Sequence, residues 1–238
     1  MNIEQITEGV LVYDLPKWGK DIQIKGILFD MDGVILDTEK LYTRFWKEAA
    51  NALGYPMTKE QALGMRSLNR GAGEAKLCFD VPVNYEEVRN KRIELMNAFI
   101  EKEGVELKPG IKELLSYLKE KGIKTAIATS SPIERTEKYL ASVGLTGAFD
   151  KLISGYMVQK GKPEPDIYEL AAKEIGFTPQ ECLAIEDSPS GLLSASRAGC
   201  YPVMVPDQDM PTPETEALLF AKADSLEKIV FLLKWLEN

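Results

Sequence analysis

The sequence predicts an α/β protein: a doubly wound, parallel-sheet core with helices on both faces, into which an all-α helical domain is inserted. Three observations carry that prediction. Short apolar runs that do not alternate with polar residues, such as Gly26-Ile27-Leu28-Phe29 and Cys182-Leu183-Ala184-Ile185, read as strands buried on both faces. From residue 109 onward such runs alternate with amphipathic helices, the habit of a helix-covered parallel sheet. Between residues 39 and 106 the rhythm breaks, and only helical patterns occur.

Taken in order, residues 1–25 form an N-terminal extension that reads as an added hairpin or edge strand. The core domain comprises residues 26–38 and 107–238, and the helical domain residues 39–106. The first strand, Gly26 to Phe29, runs into Asp30. Helical patterns then cover Leu41 to Leu53, Lys59 to Leu63, Gly71 to Phe79 and Tyr85 to Lys102, with Glu86 to Glu94 reading as a solvated face. Pro109-Gly110 opens a helix over Ile111 to Lys121 that Gly122 ends. The run Thr125 to Ala128 ends at Thr129. Ser131-Pro132-Ile133-Glu134 then has the pattern of a capping box with proline at the first helical position, and its helix stops before Gly144. A weaker run, Leu152-Ile153, ends at Ser154, and a helix over Glu164 to Ile175 closes at Gly176. The run Cys182 to Ile185 meets Glu186-Asp187, and Ser188-Pro189 starts a helix that ends before Gly199. Tyr201 to Val205 ends at Pro206, Pro206 to Pro213 reads as a surface excursion, and Ser225 to Leu236 as an amphipathic helix packed on the sheet.

Composition removes several chemistries. The 238 residues include no histidine, so Ser-His-Asp and Cys-His machinery, imidazole-ligated zinc and an imidazole proton shuttle are all excluded. Cys78, Cys182 and Cys200 are scattered in apolar stretches with no C-x-x-C pair, which suits buried free thiols in a reducing compartment. The net charge of -8 lacks the footprint of a nucleic-acid binder. No segment approaches the ~18 apolar residues of a membrane span, and Val10 to Tyr13 is too short for a signal-peptide core. The expectation is a soluble, cytoplasmic protein that binds neither nucleic acid nor membrane, with a monomer as the simplest oligomeric state.

In an open parallel sheet, ligands bind beyond the carboxyl ends of the strands, at the switch in strand order. The polar residues that end the apolar runs are Asp30 with Asp32, Thr129, and Glu186 with Asp187; Lys162 lies in a further loop. Singly, each has an ordinary explanation. Asp30 and Asp32 suit a turn before Gly33, Lys162 a solvated surface, and Asp187 a helix start. Together they bring four carboxylates toward one crevice, which like-charge repulsion disfavours unless a cation joins them. An all-oxygen set selects a hard ion, with Mg²⁺ the usual choice. A lysine there pairs with an anionic substrate and keeps a carboxylate ionised, while a threonine hydroxyl donates to a phosphoryl oxygen. These are the parts of a phosphoryl-transfer site.

Phe29-Asp30-Met31-Asp32-Gly33-Val34-Ile35-Leu36-Asp37 resembles the first motif of the haloacid dehalogenase superfamily. Thr129 in Ala128-Thr129-Ser130-Ser131 is similar to its second, Lys162-Pro163 to its third and Glu186-Asp187 to its fourth, in the expected order. The resemblance implies that Asp30 attacks phosphorus and becomes an aspartyl-phosphate, and that Asp32 is the acid and base. Thr129 and Lys162 would hold phosphoryl oxygens. Asp187 would bind Mg²⁺ with Asp30 and the backbone carbonyl of Asp32, supported by Glu186. An acid at position 32 resembles the phosphatase and phosphomutase branches, and the helical insertion resembles the cap of the β-phosphoglucomutase-like group.

That reading implies a Mg²⁺-dependent phosphatase acting on a small-molecule phosphate ester, a sugar phosphate or a nucleotide. A hexose-phosphate phosphomutase is the alternative, and a non-catalytic binding module a remote one. β-Phosphoglucomutase-like relatives carry a histidine shortly after the first loop, whereas Glu39 to Arg44 holds Tyr42 and none, which favours hydrolysis. Substrate-binding candidates are Arg66 and Arg70 in the helical domain, for an anionic group, together with Glu39 and Ser130. Ser131 reads as a helix cap, and Tyr42, Phe45 and Trp46 as packing between the helical domain and the core.

Overall fold

The structure, a computed structural model, describes residues 2–19, 22–65, 70–77 and 82–237. The chain begins with strands β1 (Ile3–Thr7) and β2 (Val10–Tyr13), a turn of helix α1 (Leu15–Trp18), and β3 (Gly26–Phe29). Four helices follow: α2 (Glu39–Ala52), α3 (Lys59–Leu63), α4 (Arg70–Lys76) and α5 (Tyr85–Glu103). Alternation then sets in with α6 (Ile111–Lys121), β4 (Lys124–Thr129), α7 (Ile133–Ser142), β5 (Lys151–Ser154) and α8 (Asp166–Glu174). It continues through β6 (Cys182–Glu186), α9 (Pro189–Ala198), β7 (Tyr201–Met204), α10 (Pro213–Glu216), β8 (Ala221–Ala223) and α11 (Leu226–Leu236).

The chain divides into two compact units, Met1–Leu36 with Leu107–Asn238, and Asp37–Glu106. The first holds one eight-stranded sheet in the order β1-β2-β8-β7-β6-β3-β4-β5. Strands β3 to β8 run parallel, while β1 and β2 form an antiparallel hairpin joined to β8. The N-terminal extension is thus an integral border of the sheet. Trp18 ties it down: its indole N–H donates to the Tyr13 carbonyl at 3.0 Å, and its ring packs against Tyr201 and Phe220.

Strand order decides where chemistry can occur. The chain passes from β3 to β4 and β5 on one side, then returns to β6 on the other, so the order switches at β3. Phe29 is in register with Ile127 of β4 and Ile185 of β6. Asp30 therefore stands level with Ala128 and Glu186 at the carboxyl edge, where its N–H donates to the Ile185 carbonyl at 2.9 Å. Beneath this edge lies an apolar layer that includes Leu28, Ala126, Ala128, Ile167, Tyr168, Ala184 and Ala195. Its small alanines let α8 and α9 approach the sheet closely.

The second unit packs its own core from Trp46, Ala49, Met57, Ala62, Met65, Leu77, Tyr85 and Val88. Thr58 caps α3 in a reciprocal box with Gln61, and Asn84 caps α5. Within this unit Phe45 meets Phe99 and Trp46 meets Tyr85. The charged tract Glu86 to Glu94 is not uniformly solvated, because Val88 and Arg92 are buried and the Arg92 guanidinium lies over the Tyr42 and Trp46 rings.

Two further expectations are corrected. The loop after β7 is not wholly a surface excursion, since the Asp207 side chain is only 5% exposed and accepts from Lys108 at 2.6 Å. The helix expected from Gly71 is α4, which spans Arg70–Lys76, and Phe79 falls outside the described residues. Among the described residues no helix is long and apolar enough to cross a membrane. Cys182 and Cys200 are buried free thiols, and Cys78 falls outside the described residues.

Candidate active site

Four side chains meet at the carboxyl ends of β3, β4 and β6. Lys162, from the loop before α8, is buried and uses all three ammonium hydrogens: to Asp30 Oδ1 at 2.5 Å, Glu186 Oε1 at 2.6 Å and the Ala128 carbonyl at 2.8 Å. One cation thereby ties the ends of three adjacent strands together. Asp187, the next residue after β6, is 8% exposed, and one ligand oxygen from each of Asp30, Glu186 and Asp187 lies within 4.8 Å of the others.

Glu186 is saturated. Its Oε1 accepts from Lys162 and from the Tyr168 hydroxyl at 2.6 Å, and its Oε2 from the Ser188 N–H at 3.3 Å and hydroxyl at 3.0 Å. The Lys162 ammonium also lies 5.1 Å from the centre of the Tyr168 ring. Burial, and then the Glu186 charge, push the Tyr168 phenol well above its ordinary pKa, so it stays a neutral donor.

Burial alone would lower the lysine pKa, but the Asp30 and Glu186 carboxylates outweigh it and hold Lys162 protonated, above its ordinary value. Asp30 is pushed well above the ordinary carboxylate range, first by burial. Lys162 opposes that shift, while Glu186 and Asp32 add to it. Asp32 and Glu186 act on Asp30 as like charges, and Asp187 joins the same oxygen cluster, so carboxylates crowd one another at this edge. The residues fit a hard divalent cation: the donors are carboxylate oxygens, and they lie close together.

Thr129 ends β4 and is buried. Its hydroxyl oxygen accepts the Ser131 N–H at 3.0 Å, and its own hydrogen meets no acceptor among the described residues. Gly33 (φ 82°) turns the backbone after Asp32 and donates its N–H to the Leu36 carbonyl at 2.8 Å, a conformation that favours glycine.

The sequence reading of Ser131 as a helix cap is corrected. The N-cap of α7 is Pro132, with no side-chain cap bond, and the Ser131 hydroxyl turns instead to Asp32 Oδ2 at 3.2 Å. Ser130 is exposed beside it. Glu39 is buried as the first residue of α2, in the helical unit. Arg66 lies outside the described residues, and Arg70 is the first residue of α4. Sequence reasoning missed Tyr168, because a tyrosine on an apolar helix face looks like core. It also missed Arg135, whose only sequence signal is its place four residues after Ser131.

A family model described as haloacid dehalogenase-like hydrolase matches residues 24–199. The chain belongs to that family. It is 34% identical over 194 residues to hexitol phosphatase A of Escherichia coli (strain K12), covering 77% of this chain and 84% of that protein. It is 32% identical over 178 residues to a phosphorylated carbohydrates phosphatase of Thermotoga maritima, covering 74% of this chain and 82% of that protein. The crystal structure of CbbY from Rhodobacter sphaeroides in complex with phosphate superposes with a TM-score of 0.73 at 28% identity, covering 87% of this chain and 96% of that one. Membership of this family carries the fold class, a parallel α/β core with helices, to this chain.

Proposed function

We propose that this protein hydrolyses small phosphate monoesters, sugar phosphates foremost, through an aspartyl-phosphate on Asp30. The observation that carries the proposal is the buried Lys162 bridge between Asp30 and Glu186, set beside Asp187 at the switch point of the sheet. The names of the two phosphatase relatives support the substrate class.

In this reading an Asp30 oxygen attacks phosphorus, the ester P–O bond breaks, and the leaving oxygen takes a proton from Asp32. Water then attacks the same phosphorus and gives its proton to Asp32. The P–O bond to Asp30 breaks and inorganic phosphate leaves. Thr129, whose acceptor side is filled by the Ser131 N–H, donates its hydroxyl hydrogen to a phosphoryl oxygen. With all three donors engaged, Lys162 chiefly fixes the Asp30 carboxylate and offsets its charge. Asp30, Asp187 and the Asp32 backbone carbonyl would hold Mg²⁺, with Glu186 behind them fixing Lys162. The ion, when bound, supplies charge neutralisation for the phosphoryl group.

The test is phosphate release from a panel of sugar phosphates and nucleotides, with Mg²⁺ and with EDTA, using Asp30→Asn as the blank. Metal-dependent release that vanishes in the blank is expected. Conversion of glucose 1-phosphate to the 6-phosphate without release would favour the phosphomutase instead, and release that survives in Asp30→Asn would overturn the covalent mechanism.

A further inference from the structure

We infer that Ser131 and Arg135 form a positioning relay for the Asp32 carboxylate, an inference that rests on the proposed phosphatase reading. The geometry leaves the Ser131 hydroxyl one choice. Arg135, on the first turn of α7, donates from Nη2 to Ser131 Oγ at 2.6 Å. A guanidinium can only donate, so the serine oxygen is the acceptor there, and its single hydrogen is left for Asp32 Oδ2 at 3.2 Å.

The serine itself cannot swing away. Its N–H is held by Thr129 Oγ1 at 3.0 Å and its carbonyl by the Ser154 hydroxyl at 2.7 Å, and the residue is 2% exposed. A residue whose neighbours suit helix capping gives up the cap and spends its hydroxyl on a carboxylate 99 positions away in the chain. Asp32 lies close enough to Asp30 for its charge to act on it, so the carboxylate that the relay holds is beside the nucleophile. Arg135 polarises the hydroxyl, and the hydroxyl fixes one oxygen of the Asp32 carboxylate and with it the plane of that group. Both residues act through Asp32 and are positioning residues.

Two small esters separate this role from a general structural one. Phenyl phosphate expels a phenol of ordinary pKa about 10 and needs its proton; 4-nitrophenyl phosphate expels a far better leaving group and needs it less. In Ser131→Ala the kcat on phenyl phosphate is expected to fall about tenfold further than on 4-nitrophenyl phosphate, a part of what a general acid contributes. Arg135→Met is expected to show the same split to a smaller degree, and Ser131→Thr to restore the ratio. Melting temperatures verify folding, and Arg135→Met carries the test if Ser131→Ala does not fold. Equal losses on both esters, or an unchanged ratio, would overturn the relay while leaving the phosphatase reading intact. A wild-type protein that releases phosphate from neither ester and from no member of the sugar phosphate and nucleotide panel would overturn both.

Discussion

Gly191 and Glu186 claim the same space: a β-carbon on residue 191 would overlap the Glu186 carboxylate. Helix α9 can start this close to the end of β6 only because residue 191 has no side chain. Gly191→Ala must displace a carboxylate already held by Lys162, Tyr168 and Ser188. The expected result is a loss of about 1–3 kcal/mol of stability, the usual range for overpacking, with a large fall in turnover. Urea unfolding alongside phosphate release checks both.

Tyr168→Phe keeps the ring beside Lys162 and deletes one donor to a fully buried carboxylate. Leaving that oxygen with a single partner is expected to cost about 1–3 kcal/mol. Urea unfolding reads that cost, and a melting curve unchanged from wild type would show that the phenol does not hold Glu186.

Clustered carboxylate oxygens at the strand ends make the folded state respond to a divalent cation. Mg²⁺ is expected to raise the melting temperature, by an amount equivalent to about 2.7 kcal/mol at a hundredfold excess over its Kd. EDTA should reverse the rise. Asp187→Asn, which removes one charge of the oxygen cluster, should abolish most of it. A thermal scan with and without the ion reads this directly, with no substrate present.

Burial pushes the Cys182 thiol up to about 12, with the Glu181 charge adding to the shift. An unfolded thiol ionises near about 8.5, so above that pH the unfolded state loses its proton first. Stability is therefore complete below about pH 8.5 and declines as pH rises toward 12. Tyr13, also raised to about 12 by burial and then by Glu216, adds its own decline only above about pH 10. Burial pushes the Cys200 thiol up as well, so it adds to the same decline. Unfolding measured between about pH 8 and about pH 10 should show a decline in wild type that Cys182→Ala lessens and that replacing both thiols lessens further.

Much of this architecture is legible without coordinates, for a physical reason. Strands buried on both faces cannot afford polar residues until they end, so the first carboxylate or hydroxyl after Phe29, Ala128 and Ile185 marks the edge of the sheet where Asp30, Thr129 and Glu186 stand. The carboxylates and Thr129 are accessible to that logic, whereas Lys162 sits in a loop and stands out only through the family motif it resembles. Other features depend on partners distant in sequence. Strand β8, Ala221–Ala223, is three residues long with a lysine at its centre, and only pairing with β7 and β2 makes it a strand. Asp207 looks like a loop acid until Lys108, 99 residues earlier, meets it. Ser131 carries every local mark of a helix cap, and the competing acceptor, Asp32, is on another strand's loop.

The aromatic anchor of the N-terminal hairpin also equips the protein with its own optical probes. Of its three tryptophans, Trp18 sits among Tyr201 and Phe220 and Trp235 lies on α11, both in the sheet-bearing unit, whereas Trp46 belongs to the helical unit. Replacing Trp46 alone, or the other pair, leaves emission that comes from one unit at a time. Unfolding curves followed at those wavelengths then distinguish a single cooperative transition from two successive ones, with no dye or label attached.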